Sequence, residues 1–238
     1  VPGVKKVSVT TNGTLLPRYG RELADAGLDS VNVSLDTTDP ELERGITGSS
    51  GVVESVLEGI ELMRSLGVPV KLNAVLLSET AGAITDLARF AAHGVPVRFI
   101  ELMPMGVGKN ETGLNPDKAL EILRAVWPDL HPVDARIGSG PAHYYASGRL
   151  AAPIGMIDAV SHRFCASCNR VRVTSRGWLK PCLCFDEGAD LRELLRGGAS
   201  DAQLLETIRL TIYNKPRQHC FDTPKEMTEC RLMSQIGG

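Results

Sequence analysis

Four of the six cysteines in this 238-residue chain lie in one window, "FCASCNRVRVTSRGWLKPCLC", from Phe164 to Cys184. Cys165, Cys168 and Cys182 follow a C-x2-C-x13-C pattern, and Cys184 comes two residues later. Two cysteines separated by two residues can direct both sulfurs at one metal centre, and the strand-like residues that follow bring the third sulfur back. The window therefore predicts a metal site.

Two kinds of metal centre fit this spacing. Four thiolates, including that of Cys184, would suit a structural zinc ion, although two ligands separated by one residue are strained around a tetrahedral ion. Three thiolates would suit a [4Fe-4S] cluster with one iron left open for another ligand. Spacing alone leaves both alternatives open.

Composition limits the partners of the chain. A net charge of −2 and a pI near 6.2 give no overall attraction to nucleic acid, so an anionic ligand would need local cations. No apolar run reaches the ~18 residues of a membrane span, and the start lacks the pattern of a signal peptide. We therefore expect a cytoplasmic protein without membrane contact, whose thiols stay reduced and favour metal binding over disulfides.

Short β-rich runs alternate with amphipathic segments in the first part of the chain. The runs are "VKKVSVTTN", "SVNVSLD", "PVKLNAVLL" and "PVRFIELMP". The helical segments run from Leu15 to Gly27, from Val52 to Gly67 and from Ile84 to Gly94. Repeated βα units require parallel strands, so the fold class is predicted to be α/β.

The strands carry their polar residues in one phase. One face has Thr10, Asn32, Ser34, Lys71 and Asn73, and the other face is apolar. In an antiparallel sheet the polar face would be solvated, whereas in a parallel sheet covered by helices it would line a (β/α) barrel. The pattern favours a polar ligand in the barrel. The fourth strand departs from it because Arg98 and Glu101 do not share a phase, which a β-bulge would explain.

The remaining sequence predicts a different region. A capped helix covers Asn115 to Trp127, a hairpin follows in "GSGPAHYYASGRL" and "APIGMIDAV", and two further helices follow the cysteine window around 191–195 and 201–213. We place a domain boundary near Leu114, with a partial barrel over residues 1–114 and a C-terminal region over residues 115–238.

The motif "FCASCNRVRVTSRGWLKPCL", together with "TTNG", "VSLD", "KLN", "FIELMP" and the terminal "SQIGG", resembles the GTP 3′,8-cyclase family of molybdenum cofactor biosynthesis. These are radical S-adenosylmethionine (SAM) enzymes, and the resemblance extends over essentially the whole chain. It implies the C-terminal part of an incomplete radical SAM TIM-type (β/α) barrel. A C-terminal α+β region carrying a [4Fe-4S] site would follow the barrel.

The resemblance also implies roles for single residues. Cys165, Cys168 and Cys182 would bind a [4Fe-4S] cluster whose open iron binds the guanine of GTP, and Cys184 falls outside the family pattern as a packing residue. The implied GTP contacts are Thr10, Lys71, Arg170 and Arg172, the implied SAM contacts are Ser34 and Met103, and the implied catalytic pair at the end of the chain is Gly237 and Gly238.

Most of these residues have an ordinary structural explanation as well. Thr10 and Ser34 could be solvated hydroxyls, Met103 a core residue and Gly237 with Gly238 a frayed tail. Arg170 and Arg172 alternate along a strand and could form its solvated face. Lys71 is the exception, because a lysine that points into a barrel is costly unless it is paired or faces water, and a phosphate explains it better.

In this family a radical derived from SAM removes hydrogen from C3′ of GTP, and the carbon attacks C8 to give 3′,8-cyclo-7,8-dihydro-GTP. A cyclic pyranopterin monophosphate synthase acts downstream, and the resemblance implies a homodimer. The family's C-x3-C-x2-C motif and its "GGEP"-like stretch do not occur in these residues. We therefore expect a fragment that supplies the GTP-binding half and is inactive alone, with a second [4Fe-4S] cluster in the missing N-terminal part.

Two alternatives remain. Another radical SAM enzyme with an auxiliary cluster would share the cysteines, but the N-R-x-R element and the Gly-Gly end argue against it. A zinc-ribbon binding module would use Cys184 as its fourth ligand, but it leaves Lys71 and the polar strand face unexplained.

Overall fold

The computed structural model describes residues 2–138 and 140–236, so Gly237 and Gly238 lie outside the described residues. The chain forms two compact units. The first, here the sheet unit, comprises the residues up to Leu102 together with Thr112–Asp158. The second, here the cysteine unit, comprises Met103–Glu111 and the residues from Ala159 onward. The predicted domain boundary near Leu114 stays a prediction. In the structure, residues 115–158 belong to the sheet unit.

A seven-stranded mixed sheet forms the sheet unit. Its strands are β1 (Ser8–Thr11), β2 (Ser30–Ser34), β3 (Val70–Leu76), β4 (Val97–Glu101), β5 (His131–Val133), β6 (His143–Ala146) and β7 (Ile154–Ile157). Its helices are α1 (Leu16–Asp25), α2 (Pro40–Thr47), α3 (Val52–Ser65), α4 (Ile84–Ala88) and α5 (Pro116–Val126). The strand order is β1-β2-β3-β4-β7-β6-β5. β1 to β4 and β7 pair in parallel, and β7, β6 and β5 pair antiparallel.

The predicted alternation of faces is confirmed by the strand register. Val33, Leu72, Val97 and Ile154 lie side by side across four strands and are all fully buried. One residue further along each strand, Ser34, Asn73, Arg98 and Gly155 form the neighbouring row on the opposite face. The proposed bulge in β4 is wrong, because the pairing of β4 with β3 and β7 continues residue by residue. Arg98 therefore belongs to the polar face.

The helices cover the apolar face. Leu16 of α1, Val56 and Ile60 of α3, Leu87 of α4 and Leu123 of α5 belong to one buried cluster with the strand residues. The open sheet with helices on its apolar face is a partial (β/α) barrel of the predicted kind. No helix within residues 2–138 and 140–236 is long and apolar enough to cross a membrane.

A tight turn connects β1 to α1 in the "TTNG" motif. Gly13 has φ +81°, a left-handed conformation that favours glycine. A Cβ at this position would also lie 2.9 Å from Cγ1 of Val33, which belongs to the core. The motif therefore needs glycine for both backbone conformation and packing.

The cysteine unit has a small sheet of its own. Its strands β8 (Arg172–Val173), β9 (Trp178–Lys180) and β10 (Ala189–Asp190) are antiparallel in the order β10-β9-β8, and its helices are α6 (Leu191–Arg196) and α7 (Asp201–Tyr213). A capping box between Ser200 and Gln203 fixes the start of α7. The buried core of this unit consists of Met105, Cys184, Cys220, Phe221 and Ile236.

Helix α2, which the sequence pattern did not predict, buries a carboxyl group. Glu43 is 5% exposed, and its Oε2 atom has no hydrogen-bond partner among the described residues. Burial raises the pKa of Glu43, and the nearby Asp36 raises it further. Burial also raises the pKa of Asp36, although its carboxylate accepts a 2.7 Å hydrogen bond from the N–H of Val75. The two carboxyl groups thus favour a neutral Glu43.

We expect a Glu43→Gln variant to be more stable than the unaltered chain at pH 8, by about 1 kcal/mol or more, because a neutral amide costs less to bury than a carboxylate. Because the pKa of Glu43 is raised in the folded chain, its protonation stabilises the fold below pH 4.5, the ordinary pKa of this group. This stabilisation is lost as the pH rises through the raised pKa. The gain should therefore shrink towards pH 4.

Urea unfolding followed by the fluorescence of Trp127, in a Trp178→Phe background, would measure this effect in the sheet unit. Glu121→Gln, on the exposed side of α5, is the matched control. An equal gain at both pH values would contradict the prediction.

Candidate functional site

A chain of hydrogen bonds crosses the polar face of the sheet unit. The Nδ2 group of Asn32 donates to Oγ1 of Thr10 at 3.2 Å, and the guanidinium of Arg98 donates to Oδ1 of Asn32 at 2.8 Å. Arg98 Nε also donates to Oδ1 of Asn73 at 2.9 Å. Residues of β2 and β3 thereby hold the Arg98 side chain, with the amide oxygens of Asn32 and Asn73 as acceptors.

Gly155 makes room for the guanidinium. A Cβ on Gly155 would lie 2.9 Å from the ring of Tyr144 and 3.0 Å from Cγ of Arg98. Tyr144 pairs with Gly155 across β6 and β7, so its ring lies beside the arginine. Burial raises the pKa of the Tyr144 hydroxyl, and Arg98 partly offsets that rise.

Lys71 lies on the same face with its side chain largely buried. Its exposed fraction is 9%, and no hydrogen bond or ion pair links it to another described residue. Burial lowers the pKa of Lys71, and the positive charges of Arg98 and Lys6 lower it further. A buried ammonium beside a guanidinium favours a bound anion, because the negative charge offsets the repulsion between the two cations.

The other predicted contacts are more ordinary. Thr10 and Ser34 are exposed on β1 and β2, with Thr10 in the hydrogen-bond chain and Ser34 paired with Asn73 in the register. Met103 lies in the cysteine unit, half-buried against its core. The structure brings Thr10 together with Lys71 on one sheet face, through the intervening Asn32.

The three predicted ligand cysteines occur in one part of the cysteine unit. Cys165 opens a short 3₁₀ turn, Cys168 ends it, and Cys182 follows β9; each is half-buried. Burial raises the pKa of Cys182, and the negative charges of Cys165 and Cys168 raise it further. The backbone N–H of Arg170 lowers the pKa of Cys168, and the backbone N–H of Cys184 offsets part of the rise at Cys182.

A lysine that the sequence analysis missed contacts this loop. The ammonium of Lys215 is 3.3 Å from Sγ of Cys168, and it also donates to the carbonyl oxygens of Cys168 and Arg170. Burial raises the pKa of Cys168, but the N–H of Arg170 and the Lys215 ammonium outweigh it, so the net shift is downward. The thiolate form, which binds metals, is favoured.

Arg170 and Arg172, the second of which begins β8, are less exposed than the valines that alternate with them. Val171 and Val173 are 42% and 57% exposed, whereas both arginines are half-buried, which is the reverse of a solvated arginine face. The guanidinium of Arg170 lies 5.3 Å from the centre of the Phe164 ring. Burial lowers the pKa of Arg172, and the charge of Arg170 lowers it further, so these two cations also favour an anion.

The donor set, three half-buried thiols, is of the kind that an iron-sulfur cluster takes. In the part of the chain that the structure describes, no group of three or more His, Cys, Asp or Glu side chains could hold one metal ion. A [4Fe-4S] cluster places each cysteine on a different iron, so its ligands need not converge on one point. Three half-buried thiols, one of which accepts a hydrogen bond from the ammonium of Lys215, suit such a cluster.

Cys184 occupies a different environment from the three predicted ligands. Its side chain is fully buried, and its Sγ atom lies 2.8 Å from Sγ of Cys220. Burial, with Cys220 beside it, raises the pKa of the Cys184 thiol to about 12. A protonated thiol in an apolar core supports the packing role rather than that of a fourth ligand. Gly237 and Gly238 lie outside the described residues.

Arg98 and Lys215 are the two functional candidates that the sequence analysis missed. The alternation of Val97, Arg98 and Phe99 could have assigned Arg98 to the polar face, but Glu101 at the end of β4 obscured the phase. Lys215 lies 47 residues from Cys168, between a helix and a proline, where no periodic pattern applies.

Comparison with known sequences gives two matching family models. The Radical SAM superfamily model matches residues 1–91, and the Molybdenum Cofactor Synthesis C model matches residues 95–221. A GTP 3',8-cyclase of Clostridium perfringens strain 13 is 38% identical over 240 residues, which cover 100% of this chain and 74% of the relative. A GTP 3',8-cyclase of Heliobacterium modesticaldum is 40% identical over 244 residues, with 99% and 74% covered.

Comparison with solved structures gives a fold likeness. The crystal structure of Streptococcus suis SuiB bound to S-adenosylmethionine matches with a TM-score of 0.57 and 14% sequence identity. The match covers 85% of this chain and 50% of SuiB, so the chain spans about half the length of that protein. At this identity the likeness concerns the fold.

Proposed function

Because the chain belongs to the GTP 3′,8-cyclase family of radical SAM enzymes, which serves molybdenum cofactor biosynthesis, we propose that it binds GTP for conversion to 3′,8-cyclo-7,8-dihydro-GTP. The radical in this conversion would derive from SAM. The observation that carries the proposal is Lys71, a nearly buried ammonium beside Arg98 and without a partner among the described residues.

The cysteine unit is proposed to hold the base. A [4Fe-4S] cluster bound by Cys165, Cys168 and Cys182 would supply an open iron for the guanine. The half-buried thiols and the contact of the Lys215 ammonium with the Cys168 sulfur support this assignment. These residues would mainly fix the position and orientation of the substrate, because a well-oriented bound substrate reacts as if in a unimolecular step.

Cations are proposed to hold the triphosphate. Arg170 and Arg172 offer planar guanidinium groups suited to bidentate phosphate contacts, and Lys71 offers an ammonium. Thr10 is a proposed GTP contact through its hydroxyl. Ser34 and Met103 are proposed to contact SAM, and Gly237 with Gly238 to approach the reacting nucleotide, where the absence of a side chain permits close contact.

The radical-generating step needs a second [4Fe-4S] cluster, and the six cysteines in these 238 residues include no C-x3-C-x2-C motif. We propose that the residues described here supply substrate binding and do not carry out the reaction alone. A downstream cyclic pyranopterin monophosphate synthase as consumer of the product, and a homodimer, are further proposals that rest on the family resemblance.

A GTP titration of a Lys71→Met variant tests the proposal. Methionine keeps the apolar stem and removes the charge, so we expect GTP to bind at least about tenfold more weakly, or about 1.4 kcal/mol. Lys118→Met, on the exposed side of α5, is the matched control and should bind like the unaltered chain. Unchanged affinity in Lys71→Met would contradict the proposed GTP contact. Absence of GTP binding in the unaltered chain would favour the zinc-ribbon alternative.

A further inference from the structure

Lys215 is held where the chain leaves α7. Its backbone N–H donates to the carbonyl of Ile212 at 3.1 Å, and the N–H of Asn214 donates to that of Leu210 at 3.0 Å. These bonds close the last turn of the helix, so the start of the lysine side chain has a fixed position. The side chain extends from there to the loop that contains Cys168.

The ammonium uses its hydrogen-bonding capacity completely. It has three N–H donors, and the three acceptors around it are the carbonyl of Arg170 at 2.6 Å, the carbonyl of Cys168 at 3.1 Å and the sulfur of Cys168 at 3.3 Å. Among the described residues no carboxylate forms an ion pair with it. Its positive charge therefore acts on the loop and the sulfur rather than on an acidic partner.

Two effects follow from this geometry. The two carbonyl contacts fix the backbone on both sides of Asn169, which orients the Cys168 side chain. The contact with sulfur places a charged donor 3.3 Å from the sulfur atom of Cys168. Hydrogen bonds to ligand sulfurs and nearby positive charge stabilise the more negative, reduced state of an iron-sulfur cluster.

We propose that Lys215 is a positioning residue for the iron-sulfur site, which orients Cys168 and raises the reduction potential of the cluster through its hydrogen bond to the sulfur. This inference rests on the proposed function, because it requires the cluster at Cys165, Cys168 and Cys182. It concerns a residue that acts on a ligand and does not itself touch the substrate.

A redox titration of the reconstituted chain, monitored by electron paramagnetic resonance, tests the inference. We expect Lys215→Met to bind four irons per cluster but to be harder to reduce, with the redox equilibrium shifted about tenfold, or about 59 mV for one electron. Lys215→Arg keeps charge and donors, so it should recover most of the shift. Lys225→Met, an exposed lysine of the same unit, should match the unaltered chain.

Lys215→Gln covers the case in which Lys215→Met does not fold. The amide keeps two donors without the charge, so the potential should still fall. If the unaltered chain and Lys215→Gln both bind four irons and have equal reduction potentials, the role of Lys215 is overturned while the proposed cluster stands. Zinc in place of iron in the unaltered chain would overturn the proposed cluster and this inference together. Loss of iron from Lys215→Met, with retention in Lys215→Arg, would support the positioning role.

Discussion

A Lys180→Met variant is expected to lose about 3–5 kcal/mol of unfolding free energy in the cysteine unit, because it leaves a buried carboxylate without its ammonium partner. Lys180 and Glu229 have side-chain exposures of 0% and 1% and form a direct ion pair. Lys180 also donates to the carbonyl of Phe185 at 2.6 Å. On the other side of the carboxylate, Arg231 donates to Glu229 through its backbone N–H at 2.7 Å and its Nε at 2.9 Å.

A double variant separates the charge effect from packing. Lys180→Met with Glu229→Leu removes both charges, and apolar replacements of a buried pair are often neutral, so most of the lost stability should return. Lys225→Met is the exposed control. Urea unfolding followed by Trp178 fluorescence in a Trp127→Phe background would report on the cysteine unit. A loss below 1 kcal/mol in Lys180→Met, or no recovery in the double variant, would contradict this account.

The same pair gives a pH dependence. Burial alone would raise the pKa of Glu229, but hydrogen bonds from Arg231 and Lys180 lower it to about 2 from the ordinary value of 4.5. A lowered pKa means that the stabilisation is present above pH 4.5 and is lost as the pH falls towards 2. The double variant should therefore lose less stability than the unaltered chain over that interval.

Replacing both Arg170 and Arg172 by alanine is expected to weaken GTP binding by about two to four orders of magnitude, since charged hydrogen bonds contribute about 1.5–3 kcal/mol each. The two arginine side chains are half-buried, while Val171 between them is 42% exposed. Lysine at both positions keeps the charge but loses the planar fork, so its affinity should fall between the two.

Arg176→Ala is the matched control, because Arg176 is an exposed arginine in the turn between β8 and β9. Equilibrium dialysis at one ionic strength would compare the variants, because screening changes every charge contact. Equal losses in Arg176→Ala and in the double variant would mean that overall charge, rather than these two positions, sets the affinity.

The sequence predicted those features that depend on local periodicity. Alternation in β1 to β3 assigned Thr10, Asn32 and Lys71 to one face, and the register confirms that these residues lie side by side. Helical spacing in 52–67 identified α3 for the same reason. Helix α2 was missed because its eight residues, "PELERGIT", include only two large apolar side chains, Leu42 and Ile46, too few for a recognisable periodic pattern.

Contacts between distant residues could not be derived from such patterns. Lys180 and Glu229 are 49 residues apart, and neither has a neighbour that indicates a partner. Lys215 reaches Cys168 across 47 residues, and Cys184 meets Cys220 across 36. These pairs depend on how loops fold back in the cysteine unit, where strands of two or three residues carry too little pattern to fix a path.

A three-cysteine [4Fe-4S] site is tested most directly by anaerobic analysis of iron, sulfide and zinc after reconstitution. The unaltered chain and a Cys184→Ser variant should both contain about four irons and four sulfides, because three thiolates hold the cluster and Cys184 packs in the core. One zinc per chain, lost in Cys184→Ser, would contradict the account, because it would make the site a four-thiolate structural centre.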